Sequence, residues 1–554
     1  MFNAHLEAFA NQVEGLRANG QLSGVERGSL AEALLAVAGP SGPARVRDVL
    51  RWLLEPVRAR WVPAPGAASG DIAALASLAE LAKGETGGSN GGSQGLSAAH
   101  WELFHDVQLA ERCLRRSGGD HEPSASAEKK STTAAANIPA GLVQPVDPPP
   151  PVEECPAADH LEWVLTMCNA LCASVHRVWT PRGHEEARAV GLDRALAMSP
   201  EEQAAHLVHG PARTFALSGG GSPPPSATVT ATRDWLRGLR DAAYAMMTLL
   251  STHAPGAFYP SESVARAVSD AAYRDLQHMH DRHARFLLHA LARPVLGRCP
   301  AAHRPLWHAA LTSTLSPMMT ERLARAWAKV KAATELSKEE RERDLTHAAG
   351  AGGISGGGSG GGENTGGGSI VLEDLIHERV TRDLSRDYCA LLELIAIPEG
   401  TFGRKTKGSG LTGHLAGVVG GGNDSPKGGG AKGSAMDAST AHGGGKHVRD
   451  WMRAVAAVDA SGAPARGAIS TATAALSWGD SEAVGRALHF LRGVTACAAA
   501  PDGDQSLRET AGAEILPACI GGLSVPSNSS HQARSVMFVH WSPYDRVRVV
   551  NAVP

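Results

Sequence analysis

The stretch from Val25 to Trp61, VERGSLAEALLAVAGPSGPARVRDVLRWLLEPVRARW, constrains the fold more than any other part of the chain. It reads as two amphipathic helices joined by a tight reversal. Leu30, Leu34 and Val37 fall on one face of the first helix; Val46, Leu50, Leu53, Val57 and Trp61 share a face of the second. Gly39-Pro40-Ser41-Gly42-Pro43 cannot continue a helix, so the chain turns there. Neither helix buries its stripe alone. The pair has to stack on neighbours, which is the logic of a helical solenoid.

Helical periodicity returns along the chain. Trp307, Leu311, Leu315, Met319, Leu323, Ala326 and Val330 hold the three-and-four spacing of a half-buried helix, and so do Leu372, Ile376, Val380, Leu384, Tyr388, Leu391 and Ile395. Pro317 is expected to break or kink the first of these. Further helices are expected at 5–17, where Leu6, Phe9, Val13 and Leu16 form a stripe, and at 71–83, 97–116, 159–179, 231–253, 262–291, 446–458, 465–476, 480–499 and 508–523. Between them lie tracts rich in Gly, Ser, Pro and Ala, which bury too little surface to offset their ordering entropy. The expected class is therefore all-α, a HEAT-like helical-repeat solenoid with long disordered insertions. Repeats cover 1–116, 159–348, 370–399 and 446–524. Insertions or linkers occupy 117–158, 349–369 and 400–445, with shorter spacers at 84–95 and 218–230. The tail 525–554 departs from this pattern: SVMFVHW and DRVRVVNAV read as strands.

Composition narrows the function classes. Apolar residues make up 43% of the 554, enough for a packed core, and aromatics only 5%. Net charge is −3, so no global field draws the chain to nucleic acid or to an anionic membrane; a nucleic-acid surface has to be local. The eight cysteines contain no CxxC pair. Cys168 and Cys172 continue a stripe with Leu165 and Val175, so free buried thiols are expected. No signal peptide or 18-residue apolar run is visible.

Catalytic patterns fail on context. Gly353-Ile354-Ser355-Gly356-Gly357 matches G-x-S-x-G, but in a Gly/Ser tract without the strand and helix that a nucleophile elbow needs. His184-Glu185-Glu186 lacks the second histidine of H-E-x-x-H. No enzyme, cofactor or metal is expected. His280 and His283 share a helical face that would suit a transition metal, yet nothing nearby completes the set, and an exposed polar face is the expectation. The segment Arg266 to His308 is richer. It holds Arg266, Arg274, Arg282, Arg285, Arg293, Arg298 and Arg304 with six histidines, against Asp270, Asp275 and Asp281 alone. Guanidinium suits phosphate, so a basic ridge there would contact an RNA backbone through Arg274, Arg282 and Arg285. A solvated arginine-rich face is the alternative.

Several segments resemble one family in order. "SLAEALL" followed by a turn and "L..LL.PV...W" is similar to the mid-chain repeats of the Exportin-5/Hasty family of nuclear transport receptors. So are Ala292 to Lys331, Leu375 to Ile397, Ala474 to Ala487, and Glu514 to Leu523. The resemblance spans roughly Asn3 to Ser524 with large gaps. It implies an importin-β-like export receptor that binds cargo together with Ran-GTP, contacts nuclear pore proteins and shuttles between nucleus and cytoplasm without inserting in a membrane. Structured small RNA, microRNA precursors included, and some protein cargo are what that branch carries. Its Ran-binding surface lies in N-terminal repeats that nothing here matches, so the chain is expected to be part of a longer protein, to bind Ran weakly by itself and to self-associate. Met1 would then be a mis-assigned start and the tail a misread exon. The alternative is an α-solenoid scaffold outside transport, indifferent to the nucleotide state of Ran.

Overall fold

The computed structural model describes residues 21–61, 96–118, 151–199, 227–350, 367–396, 438–500 and 505–522, with residues 8, 9, 11–13, 15, 16, 19, 202, 203 and 525. Among the described residues there is helix, turn and loop and no strand. The principal helices are α1 (Gly24–Ala38), α2 (Pro43–Trp61), α3 (Ala98–Ser117), α4 (Leu161–His176), α5 (Ala227–His253) and α6 (Glu262–Tyr273). They continue as α7 (Asp281–Leu287), α8 (Arg304–Gly350), α9 (Gly367–Ala396), α10 (Ala438–Val458), α11 (Ala463–Ala475) and α12 (Ser481–Ala499).

Each helix packs mainly on near neighbours in sequence. α3 lies against α1 and α5, α4 against α5 and α6, and α6 against α8. α8 meets α9, α10 and α11, and α9 and α10 both meet α12. One apolar core runs unbroken from Ala31 to Ile515. This is the HEAT-like solenoid that the paired stripes predict: every repeat needs the next one to cover its apolar face.

The opening pair shows how sequence sets the local geometry. Ser23 begins α1 with a capping box: its Oγ accepts from Glu26 N at 3.3 Å, and the Glu26 carboxylate accepts from Ser23 N at 2.8 Å. The reversal is a 3-10 turn, Gly39–Ser41, closed by Gly42 at φ 93°, a conformation that favours glycine. Pro43 then starts α2, where its missing N–H costs nothing. The buried face of α1 is Ala31, Leu34, Leu35 and Ala38, whereas Val37 is exposed. The expected stripe was offset because both α2 and α3 cover α1. In α2 the same widening adds Val49 and Leu54 to Val46, Leu50, Val57 and Trp61. Truncating Leu34 or Leu50 to Ala removes a buried contact worth about 2–5 kcal/mol.

Buried indoles tie successive layers. Trp235 Nε1 donates to His100 O at 2.9 Å, Trp307 Nε1 to Tyr259 O at 2.9 Å and Trp451 Nε1 to Thr312 Oγ1 at 2.8 Å. Each ring is buried whole, yet its one polar atom is satisfied across a helix–helix contact. The expected stripe of α8 is buried from Trp307 to Val330, as is that of α9 from Ile376 to Ile395. All eight cysteines are free thiols, each buried except the half-buried Cys519.

Pro317 does not break α8, which runs on through it. The proline turn is clamped by α11. A Cβ on Gly467 would lie 3.6 Å from the Pro317 backbone, and Thr320 Oγ1 donates to Gly467 O at 2.8 Å. Packing there offsets the lost ladder bond. Four expected spacers also end inside ordered structure. Residues 152–160 form 3-10 turns that bury Cys155 and Ala157, with Arg47 donating to Glu153 O at 2.6 Å. Helices α5, α9 and α10 begin at 227, 367 and 438, within spacers 218–230, 349–369 and 400–445. The expected helix at 71–83, the spacer at 84–95 and the strands of the tail lie outside the described residues. In the first stripe Val13 is buried and Phe9 exposed, while Leu6 lies outside the described residues.

Candidate nucleic-acid interface

The arginine-rich segment does not form one ridge. It runs through α6, a left-handed residue at Asp275 (φ 56°), a 3-10 turn Leu276–His278, α7, a π turn Leu288–Ala292 and a short helix Arg293–Arg298 before reaching α8. Each change of element re-aims the side chains that follow.

The three candidate arginines therefore meet different fates. Arg274 is exposed, and its carbonyl accepts from His176 Nδ1 at 2.7 Å. Arg282 is turned inward, pairing with Glu202 at 2.5 Å and donating to Leu196 O at 3.1 Å. Arg285 reaches across to α9, to Asp383 at 3.1 Å and Asp387 at 3.2 Å. Arg293 joins it on Asp387 at 2.7 Å. The structure thus brings Arg285 and Arg293 together on one carboxylate and leaves Arg274 apart. Local counting finds three aspartates against seven arginines because the actual partners, Glu202, Asp383 and Asp387, come from distant sequence.

Two of the six histidines, His283 and His308, are also absorbed, whereas His278, His280 and His289 are exposed. His283 is buried, edge-on to Trp179 with ring centroids 4.8 Å apart and hydrogen-bonded to Arg240. Burial first, then the Arg240 charge, pushes its pKa well below the usual imidazole range. The expected exposed His280/His283 face is therefore only half right: His280 is exposed and His283 is not. Burial likewise lowers His308 to about 3. Neither ring gains charge near pH 6, so they supply no acid-strengthened RNA binding. His176, lowered to about 4 by burial, is fixed as one tautomer. Its Nδ1–H donates to the Arg274 carbonyl, which leaves Nε2 to accept from Tyr244 Oη–H at 2.8 Å.

Sequence reading missed the residue that organises this region. Arg322, on α8, is buried, and its guanidinium donates to Leu276 O at 2.7 Å, Gln277 O at 3.2 Å and Met279 O at 2.8 Å. It also pairs with Asp281 at 2.9 Å. One side chain thereby fixes the turn after Arg274 and the start of α7. The only signal in sequence was an arginine beside Leu323 in an otherwise apolar stripe.

Among the described residues no three His, Cys, Asp or Glu side chains converge on a metal site, and no helix is long and apolar enough to cross a membrane. The fold and its charged cross-links define an α-solenoid of stacked helix pairs. More narrowly, the chain belongs to the Exportin-5 family, whose sequence profile matches residues 1–540. It is 24% identical over 416 residues to Protein HASTY 1 of Arabidopsis thaliana, a match covering 71% of this chain and 29% of that protein. The chain spans less than a third of the length of that relative.

Proposed function

We propose that this chain forms part of a nuclear export receptor that carries cargo in complex with Ran-GTP and shuttles between nucleus and cytoplasm past nuclear pore proteins. Membership of the Exportin-5 family over residues 1–540 carries the reading. A solenoid suits it physically. Each helix pair touches mainly its neighbours, so small changes at many junctions add up, and cargo and Ran-GTP are coupled when both favour the same arrangement. Structured small RNA, microRNA precursors included, is the cargo we favour, with protein cargo second. Ran contacts are assigned to repeats that nothing in this sequence matches.

Within this reading, Arg274 is the arginine of the three best placed to meet a phosphate directly. Arg282 and Arg285 hold the elements around it. Gel-shift titrations of the full chain against two unrelated RNA hairpins, over a range of salt, test the assignment. Arg274→Ala is expected to shrink the log–log salt slope by about one for both hairpins without changing the melting temperature. Arg282→Ala and Arg285→Ala are expected to lower the melting temperature instead. An unchanged slope for Arg274→Ala rejects that contact. Partner capture that ignores the nucleotide on Ran, in the longer protein, rejects the receptor reading in favour of a scaffold.

A further inference from the structure

A cleft of about 260 Å³ opens where three parts of the solenoid meet. Its walls are the turn Ala301–Ala302 with the first turn of α8, the C-terminal end of α9, and α10. Arg304, Lys446, His447 and His308 bring four nitrogen-bearing side chains to it, against one carboxylate, Asp450. Leu394, Ile395 and Trp451 supply an apolar wall.

One residue there is not explained by the fold. His308 is 4% exposed and lines the cleft, yet among the described residues its ring makes no hydrogen bond; only its backbone carbonyl is used, accepting from Thr312 Oγ1. A buried polar ring normally has at least one partner: His176 has two, and His160 and His283 each have one. The N-terminus of α8 adds partial positive charge at the same place. Burial first, then Arg304 and His447, disfavours charge on His308.

We propose that this cleft binds a phosphate monoester, with the phosphate held by His308, Arg304 and Lys446 and its organic group against Leu394, Ile395 and Trp451. A phosphate rather than a carboxylate fits the donors, because the Lys446 ammonium and the His308 ring supply N–H groups beside the fixed charge of Arg304, whose Nε already donates to Cys299 O at 3.2 Å. The cleft is also larger than a bare anion needs, which leaves the apolar wall for the attached group. Binding of a dianion favours the imidazolium of His308, so it is accompanied by proton uptake. The charged groups that set this balance are Arg304 on α8 and Lys446, His447 and Asp450 on α10; α9 and the turn contribute only apolar lining.

Isothermal titration calorimetry of the full chain tests the proposal with phenyl phosphate, inorganic phosphate and a peptide carrying one phosphoserine. Phenyl phosphate is expected to bind more tightly than inorganic phosphate, with an enthalpy that depends on the buffer's own protonation heat. Lys446→Gln, a change at an exposed side chain, is expected to weaken it about ten-fold or more with an unchanged circular dichroism spectrum. His308→Gln is expected to remove the proton uptake. A peptide that binds more tightly than phenyl phosphate supports a phosphorylated protein segment as the source; equal affinity supports a small metabolite. Absence of saturable heat at millimolar phenyl phosphate, or equal affinity in Lys446→Gln and the parent, overturns the site.

Discussion

Asp480 offers the sharpest test of how charge holds this solenoid together. Its carboxylate is fully buried, 0% exposed, at the start of α12. Oδ1 accepts from Ala483 N at 2.9 Å, which caps the helix. Arg386 Nη2 lies 2.8 Å from Oδ2, Arg386 Nε bonds both oxygens at 3.1 and 2.9 Å, and Arg382 stands 3.7 Å away. Two terms can be separated. Asn caps a helix about as well as Asp, so Asp480→Asn removes the charge and keeps the cap. Breaking a fully buried pair costs about 3–5 kcal/mol, but Arg386 is 36% exposed and regains water, so about 2 kcal/mol is expected. Asp480→Ala adds the cap loss of about 1 kcal/mol, giving about 3 kcal/mol. Urea unfolding followed by tryptophan fluorescence reads both, since Trp478, two residues away, stacks on Trp327 with centroids 5.2 Å apart. Hydrogen exchange is expected to rise over 481–499 and not over α1, because the damage stays with near neighbours. Two variants each within about 0.5 kcal/mol of the parent would refute the argument, because that is how surface pairs behave. Equal losses for Asn and Ala would refute the cap.

Other outcomes follow from the same geometry. Arg322→Met strips donors from three carbonyls and Asp281 and is expected to cost about 3 kcal/mol, with faster hydrogen exchange over 274–283; unchanged exchange there would remove Arg322 as the organiser. Gly42→Ala meets no atom within 4 Å, so its expected loss of about 1–3 kcal/mol in thermal melts is backbone strain alone, and an unshifted melt would contradict it. His308 titrates near 3 when folded and near about 6.5 when unfolded, so between these values only the unfolded chain takes its proton, and stability falls as pH drops. His308→Gln is expected to flatten that slope by up to about 1.4 kcal/mol per pH unit. Parallel urea-derived stability curves for variant and parent would reject the assignment.

The legible part of this fold was its apolar periodicity. The stripes from Trp307 to Val330 and from Ile376 to Ile395 could be read because a helix buried on one side repeats every 3.6 residues whatever covers it. The exact azimuth in α1 was not legible, since Val37 turns outward only because of where α2 and α3 sit. The turns at 152–160 were hidden by proline-rich composition, although Cys155 and Ala157 were small enough to be buried there. The candidate interface was the least legible. The roles of Arg282 and Arg285 depend on Glu202, Asp383 and Asp387, which no local window contains.

Those long-range pairs form a chain of alternating charge across successive layers: Arg293 to Asp387, Asp387 to Arg285, Arg285 to Asp383, Asp383 to Arg386, and Arg386 to Asp480. It links α7 and the helix after it to α9, and α9 to the start of α12. Interdigitated apolar side chains resist sliding, because a displacement of half an ångström already forfeits dispersion contacts. A shared carboxylate is more tolerant. Asp387 already serves two guanidinium groups and Asp480 has a second at 3.7 Å, so a small shift between layers exchanges one pairing for another. The apolar core fixes which helices are neighbours; the charge chain joins the same layers through carboxylates that each have two guanidinium groups within 4 Å. Under the proposed receptor function, arginines that cross-link layers matter as much as arginines that touch phosphate.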